Sequence, residues 1–232
     1  MIIRWAANEM QRAFSVLAPT LTAIHSSLST PRMATFLTAA GGDADLAIRL
    51  YEWNVQLCQS LYFPLQTAEV LSRNTVSEAI QVVFGNDWYV QPRFKAFLMP
   101  WATGELEKAV AEKKAKIVGR PLVAGDIVSQ LSFGFWREMT KARYEKRIWK
   151  NGIAVAFKGI PQGKTRQDVY AYLDIAIKLR NRVSHHEPIF NDGTLHNNYL
   201  SVLSLIDWIC PATFFWVSNA STFSALAAAQ PQ

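Results

Sequence analysis

The stretch TRQDVYAYLDIAIKLRNRVSHHEP, residues 165–188, decides the fold. Thr165 followed three positions later by Asp168 makes a capping box, with Asp in place of the usual Glu, so a helix starts here. Val169, Leu173 and Ala176 then recur at helical spacing and form an apolar stripe. The helix must end before Pro188, because the residue preceding a proline is pushed out of the α region. At about 100° per residue, Arg180 falls within about 40° of Val169, Leu173 and Ala176, in the middle of that stripe. A guanidinium on a core-facing stripe is costly unless an anion meets it, so Arg180 asks for an internal partner or an anionic substrate.

Outward from this helix almost everything else reads as helix too. Ser29-Thr30-Pro31 is a start signal and Gly41-Gly42 a stop. Asp43 caps a long pattern over 44–84, and Pro64 within it is expected to kink or divide it near Tyr62. Gly85-Asn86-Asp87-Trp88-Tyr89 is a loop whose two aromatics plug the core. Lysine-rich helix continues the chain over 103–117, and another helix starts at Gly125-Asp126 and passes through Phe133-Gly134-Phe135-Trp136. A turn or two over 143–150 and a loop at Pro161-Gln162-Gly163 precede the capped helix. The last third gives helices over 195–209, 212–217 and 222–229. The expectation is an all-α chain in a single domain over 1–232, with 101–160 as a candidate basic helical insertion.

Composition agrees with a packed core: half the 232 residues are apolar and eight are Trp. Cys58 and Cys210 are expected as reduced thiols inside helices. Met1-Ile2-Ile3-Arg4-Trp5 lacks the apolar core of a signal peptide, and Glu9 and Arg12 interrupt the next stretch. The apolar run over 199–217 carries Asp207 and Pro211, which favours two buried core helices over a membrane span. A cytoplasmic protein without membrane attachment is expected. Between Gly104 and Arg182 there are 17 Lys and Arg against 8 Asp and Glu, a local +9 that leaves −3 for the rest of a +6 chain. A basic middle suits an anionic polymer such as RNA, or simply a solvated helix face. Trp101 and Tyr144 are candidates for stacking on bases, or core residues.

The chemistry-bearing residues gather on two helices. Asn181 comes directly after Arg180, and His185 lies four residues after Asn181, on the same face if the helix persists. A histidine exchanges protons near neutral pH and a guanidinium carries fixed charge, the parts list for metal-free RNA cleavage. The alternative is that His185 only caps the helix C-terminus, where the dipole favours its cation. On the long N-terminal pattern Glu69 and Arg73 are four apart, in line with Leu65, Val76 and Ile80, and Asn74 comes directly after Arg73. Two helices each offering Arg-Asn suggest a shared polar pocket, or a buried network in which Glu69 neutralises one arginine. His185-His186-Glu187 invites a metal reading, but adjacent residues diverge on a helix and no HExxH or cysteine cluster supports it. No metal and no cofactor are expected.

Taken together, Tyr51-Glu52-Trp53-Asn54, Glu69-Val70-Leu71-Ser72-Arg73-Asn74, Gly85-Asn86-Asp87-Trp88-Tyr89, Leu131-Ser132-Phe133-Gly134-Phe135-Trp136 and Leu179-Arg180-Asn181-Arg182-Val183-Ser184-His185-His186-Glu187 resemble the Abi-like (AbiD/AbiF-type) abortive infection proteins, a branch of the HEPN superfamily. The resemblance covers most of the chain. It implies a HEPN-like helical bundle with additional helices that forms a homodimer, bringing two R-x4-H elements to one cleft. It further implies metal-independent cleavage of single-stranded RNA in phage defence or as a toxin. Apart from the resemblance, the basic segment from Lys108 to Lys150 is assigned to RNA backbone contact or to a guide or regulatory RNA, and an antitoxin is a candidate further partner. Some members of the family only bind RNA or protein. Arg180 and His185 inherit the catalytic role, with Asn181 as their polar neighbour. Glu69, Arg73, Asn74 and His186 are carried as supporting or binding residues.

Overall fold

A computed structural model describes residues 18–232, so the expectation for the extreme N-terminus lies outside the described residues. Among these the chain is all α. Its helices are α1 (Ala18–Leu28), α2 (Thr30–Ala39), α3 (Ala44–Phe84), α4 (Pro92–Lys95), α5 (Pro100–Lys116), α6 (Ala124–Val128), α7 (Phe133–Glu138), α8 (Arg166–Ser184), α9 (Leu195–Ile209), α10 (Pro211–Ala220) and α11 (Phe223–Ala227), with 3-10 turns at Trp88–Val90, Ala142–Tyr144 and Ile153–Val155. No described helix is long and apolar enough to cross a membrane. The chain divides into two compact units, one of residues up to Ser60 with His186–Asp192 and Thr222–Gln232, the other of Leu61–His185 with Gly193–Ser221.

In the first unit α1, α2 and the start of α3 carry Met33, Phe36, Ala47, Leu50 and Leu57, all buried. Asp43 caps α3 as expected, its Oδ1 accepting from the N–H groups of Asp45 and Leu46 at 2.9 and 3.0 Å. The Tyr51-Glu52-Trp53-Asn54 motif is a docking device. Asn54 is sealed, and its Oδ1 accepts from the N–H groups of Ile189 and Phe190 at 2.7 and 3.2 Å. Trp53 Nε1 donates to the Leu226 carbonyl at 2.8 Å. Phe190 stacks on Phe36 at 4.9 Å, and Tyr51 meets Phe36 edge-on at 5.2 Å. The two distant segments of this unit are therefore held by one turn of α3.

The second unit is built on the remainder of α3 with α4 to α10. Trp88 and Trp136 meet edge to face at 6.1 Å, and Phe133, Phe135 and Trp136 are wholly buried. The Gly85–Tyr89 loop does plug the core. Tyr89 also donates its hydroxyl to the Leu122 carbonyl at 2.7 Å, and burial raises its pKa.

Three local expectations need correction. Pro64 does not divide α3, which is assigned as one helix from Ala44 to Phe84. The helix expected from Gly125 through Trp136 is two short helices, because Ser132 leaves α geometry to cap α7. The Ser132 hydroxyl accepts from the Phe135 N–H at 3.1 Å and donates to Glu105 at 3.1 Å. Finally, the run over 199–217 is two helices, as expected, but only the first is core. On α10 Phe215 and Trp216 are 70% and 59% exposed. Among the described residues Cys58 and Cys210 form no disulfide, and both are half-buried.

Candidate functional site

Helix α8 starts as its sequence dictates. The Thr165 hydroxyl accepts from Gln167 N–H at 3.2 Å, and Asp168 accepts from the Thr165 N–H at 2.8 Å, closing the capping box. Asp174, half a helix further on, is shared by Arg137 of α7 and Lys178, the latter at 2.8 Å. Burial pushes the Asp174 carboxyl up, but the hydrogen bonds from Lys178 and Arg137 outweigh it and hold it below its ordinary range. Val169, Leu173 and Ala176 are fully buried. The stripe runs out at its last position.

That position is Arg180, which is not sealed as its angle on the stripe predicts. Its side chain is 35% exposed and its Nε lies 3.5 Å from Oε2 of Glu69, itself 26% exposed. The Nε is buried and makes no hydrogen bond, so the contact is an ion pair without a directed N–H. The guanidinium has five N–H donors in a planar fork. Among the described residues its Nη end has no hydrogen-bonded partner, and it emerges from their surface. Of the two answers the sequence allowed, the structure supplies the internal carboxylate, while the other side of the group stays open to solvent.

Asn181 and His185 are exposed beside it. Helical geometry persists to the end of this element: the His185 N–H donates to the Asn181 carbonyl at 2.8 Å, and His185 is the C-cap with φ −89° and ψ 7°. The two side chains thus leave the same end of the same face. The helix ends at His186, whose φ of 56° is left-handed, rather than through Pro188 alone. His186 belongs to the first unit, where its carbonyl accepts from Arg32 Nη2. Its imidazole is exposed.

Glu69 and Arg73 are half-buried at the shoulder of the α3 stripe, while Leu65, Ala68, Ser72, Val76 and Ile80 occupy its centre. Glu69 faces Arg180, not its helical neighbour Arg73. The Arg73 Nε is buried without a hydrogen bond. Arg73 and the exposed Asn74 line a cleft of about 210 Å³ with Ser77, Glu78, Gln81 and the Gly125–Ser129 segment. Arg180 and Asn181 do not line it. The two Arg-Asn pairs therefore do not share one pocket: Glu69 links α3 to Arg180, while Arg73 and Asn74 open on another cavity. Among the described residues no group of three or more His, Cys, Asp or Glu is gathered as a metal would need.

Sequence reasoning passed over Asn54, the buried amide that holds residues 189–190. An asparagine beside two core aromatics, in a helix interior that disfavours it, was the available signal. Compared with known proteins, the chain matches no protein-family model, no curated protein and no solved structure.

Proposed function

We propose that the protein is a metal-independent endoribonuclease of the HEPN type, acting on single-stranded RNA as a homodimer in phage defence or as a toxin. One observation carries the reading: the last turns of α8 present the outer end of Arg180, Asn181 and His185 together at the surface, with the Arg180 fork unclaimed by hydrogen bonds among the described residues. RNA supplies its own nucleophile. The 2′-oxygen attacks the adjacent phosphorus as its proton leaves. The P–O5′ bond breaks and the departing oxygen takes up a proton, leaving a 2′,3′-cyclic phosphate and a 5′-hydroxyl. His185 moves one of these protons, a role worth about 10²–10⁴-fold. Arg180 holds the non-bridging oxygens as charge gathers on them. Asn181 orients the phosphate or the imidazole.

The test is incubation of the pure chain with RNA in excess EDTA, reading product ends. Cleavage to cyclic-phosphate ends that is lost in both Arg180→Ala and His185→Ala is expected. Equal background rates for wild type and both variants refute the proposal. The Glu69 contact favours a second reading, in which Arg180 is a structural residue of a module that binds RNA or protein without cutting. RNA binding that weakens steeply with salt, with no cleavage, identifies that case.

A further inference from the structure

We propose that Arg93 and Arg147, held over the rings of Phe84 and Phe97, and Arg143, tied to the Phe97 carbonyl, grip the backbone of a single-stranded nucleic acid together with the indole of Trp101, by residues other than those of the Arg180 turn. The proposal rests on the reading of RNA as substrate, and it can fail independently of it. The cluster lies wholly in the second unit. Arg93 sits over the Phe84 ring at 5.6 Å, and Arg147 over the Phe97 ring at 4.0 Å. The two rings are 6.0 Å apart. Arg143 Nη2 donates to the Phe97 carbonyl at 3.1 Å, and its other terminal nitrogen reaches the Met99 thioether. Arg143 also lies over the Tyr144 ring at 5.4 Å, so α4 and the turns over 142–149 bring two guanidinium groups onto the Phe84–Phe97 pair and a third beside it.

These charges are not neutralised. The ion pairs among the described residues include none to Arg93, Arg143, Arg147, Lys146 or Lys150. The nearby carboxylates are spent elsewhere, Glu107 on Lys95 at 3.1 Å and Glu145 on Arg166 at 3.5 Å. All five unpaired cations are exposed. A cluster of like charges repels itself, a cost that the rings and carbonyls offset and that an arriving anion would relieve. The same contacts restrict the long side chains and lower the entropy lost when they bind.

A polymer of phosphates fits better than an isolated anion, because the cations are spread over several turns. A single strand fits better than a duplex because of Trp101. It stands at the start of α5, two residues after the Met99 that Arg143 touches, and is 45% exposed. An exposed indole beside a basic stripe offers a stacking platform that only unpaired bases can use. Tyr144, the other aromatic of this region, is buried and cannot serve.

The experiment measures binding of full-length His185→Ala, which leaves RNA intact, to a fluorescent 12-nucleotide oligo(U) across a salt series. The triple substitution Arg93→Gln, Arg143→Gln, Arg147→Gln is expected to flatten the slope of log affinity against log salt by about 2, from roughly 0.7 per phosphate contact. Trp101→Ala is expected to weaken binding about five-fold or more with the slope unchanged. Oligo(dT) of the same length binding like oligo(U) assigns the grip to backbone and base faces. A preference for RNA adds a contact to the 2′-hydroxyl. An unaltered slope in the triple variant, shown folded by circular dichroism, overturns the proposal. Trp101 is at the surface, so unchanged affinity in Trp101→Ala overturns it even if the triple variant does not fold. Equal binding of heparin or acidic vesicles, indifferent to Trp101, also overturns it. Loss of cleavage in the earlier assay with these binding results intact sinks only the nuclease reading.

Discussion

Replacing Arg180 and Glu69, singly and together, separates a catalytic arginine from a structural one. Their closest approach is 3.5 Å. Two unit charges at that distance attract by about 1 kcal/mol in water and about 5 kcal/mol at an effective dielectric of 20. Which limit applies depends on desolvation. With side chains 35% and 26% exposed and no hydrogen bond between them, the pair belongs near the watery limit. A sealed pair would lose about 3–5 kcal/mol on breaking. Here Arg180→Ala should cost about 1 kcal/mol, or about 2–4 °C in Tm for a chain of this size. In a double-mutant cycle with Glu69→Gln, the coupling measured by urea denaturation should stay below about 1 kcal/mol. RNA cleavage by Arg180→Ala should nonetheless fall at least about 100-fold, since a charge-stabilising donor acts on the transition state and not on the fold. A coupling of about 3 kcal/mol or more, with binding of RNA unaffected, would refute this reasoning and make the pair a scaffold.

Asn54→Ala should cost about 2–4 kcal/mol, because it strands the N–H groups of Ile189 and Phe190; a urea midpoint within error of wild type would show that the 186–192 segment is held by other contacts. Gly159→Ala should cost about 1–3 kcal/mol by denaturation, because a Cβ there would stand 2.5 Å from the Asp207 carbonyl oxygen; an unchanged midpoint would mean the backbone gives way freely. The Asp168 carboxyl is held below its ordinary range by the Lys164 ammonium at 3.0 Å and then by the Thr165 N–H. A depressed folded value stabilises the protein above the unfolded pKa of about 4, and that contribution is lost as pH falls through the depressed value. The stability gap between wild type and Asp168→Asn should therefore close on acidification below about pH 4. A gap that stays constant from neutral pH downward would overturn the assignment.

The helices were legible where short-range physics suffices. The Thr165–Asp168 box, the Gly41-Gly42 stop and the Asp43 cap are decided within four residues, and the apolar period supplies the rest. The break at Ser132 was not legible, because it depends on Glu105, 27 residues away, taking the serine as a partner. Nor was the exposure of α10, since an apolar segment does not say whether anything covers it. At the site, the spacing that placed Arg180, Asn181 and His185 at one helix end was sound, because one helix determines it. The shared Arg-Asn pocket failed because it needed the relative placement of two helices, which no spacing within either one contains. Several stretches that carry the family resemblance turn out to be packing. Trp88 and Trp136 meet in the core, Tyr51 packs on Phe36, and Trp53 and Asn54 hold distant backbone.

Glu69 beside Arg180 has a consequence for how the labour of binding is divided. A carboxylate on the Nε side orients the fork while leaving its outer end open, but it also weakens the attraction that a bare guanidinium would exert on RNA at a distance. On the proposed reading affinity comes from cations with no such neighbour, among them Arg93 and Arg147 over Phe84 and Phe97. Interactions made equally in ground and transition states set KM, whereas those strengthened only as charge develops set kcat. The triple substitution Arg93→Gln, Arg143→Gln, Arg147→Gln should therefore raise KM for an RNA oligonucleotide about ten-fold or more at near-constant kcat. Arg180→Ala should instead lower kcat with KM changed little. Steady-state cleavage of a fluorogenic oligonucleotide at fixed salt reads both. If the triple variant loses kcat at unchanged KM, the arginine cluster acts on the chemistry and the division between a remote grip and a local site is wrong.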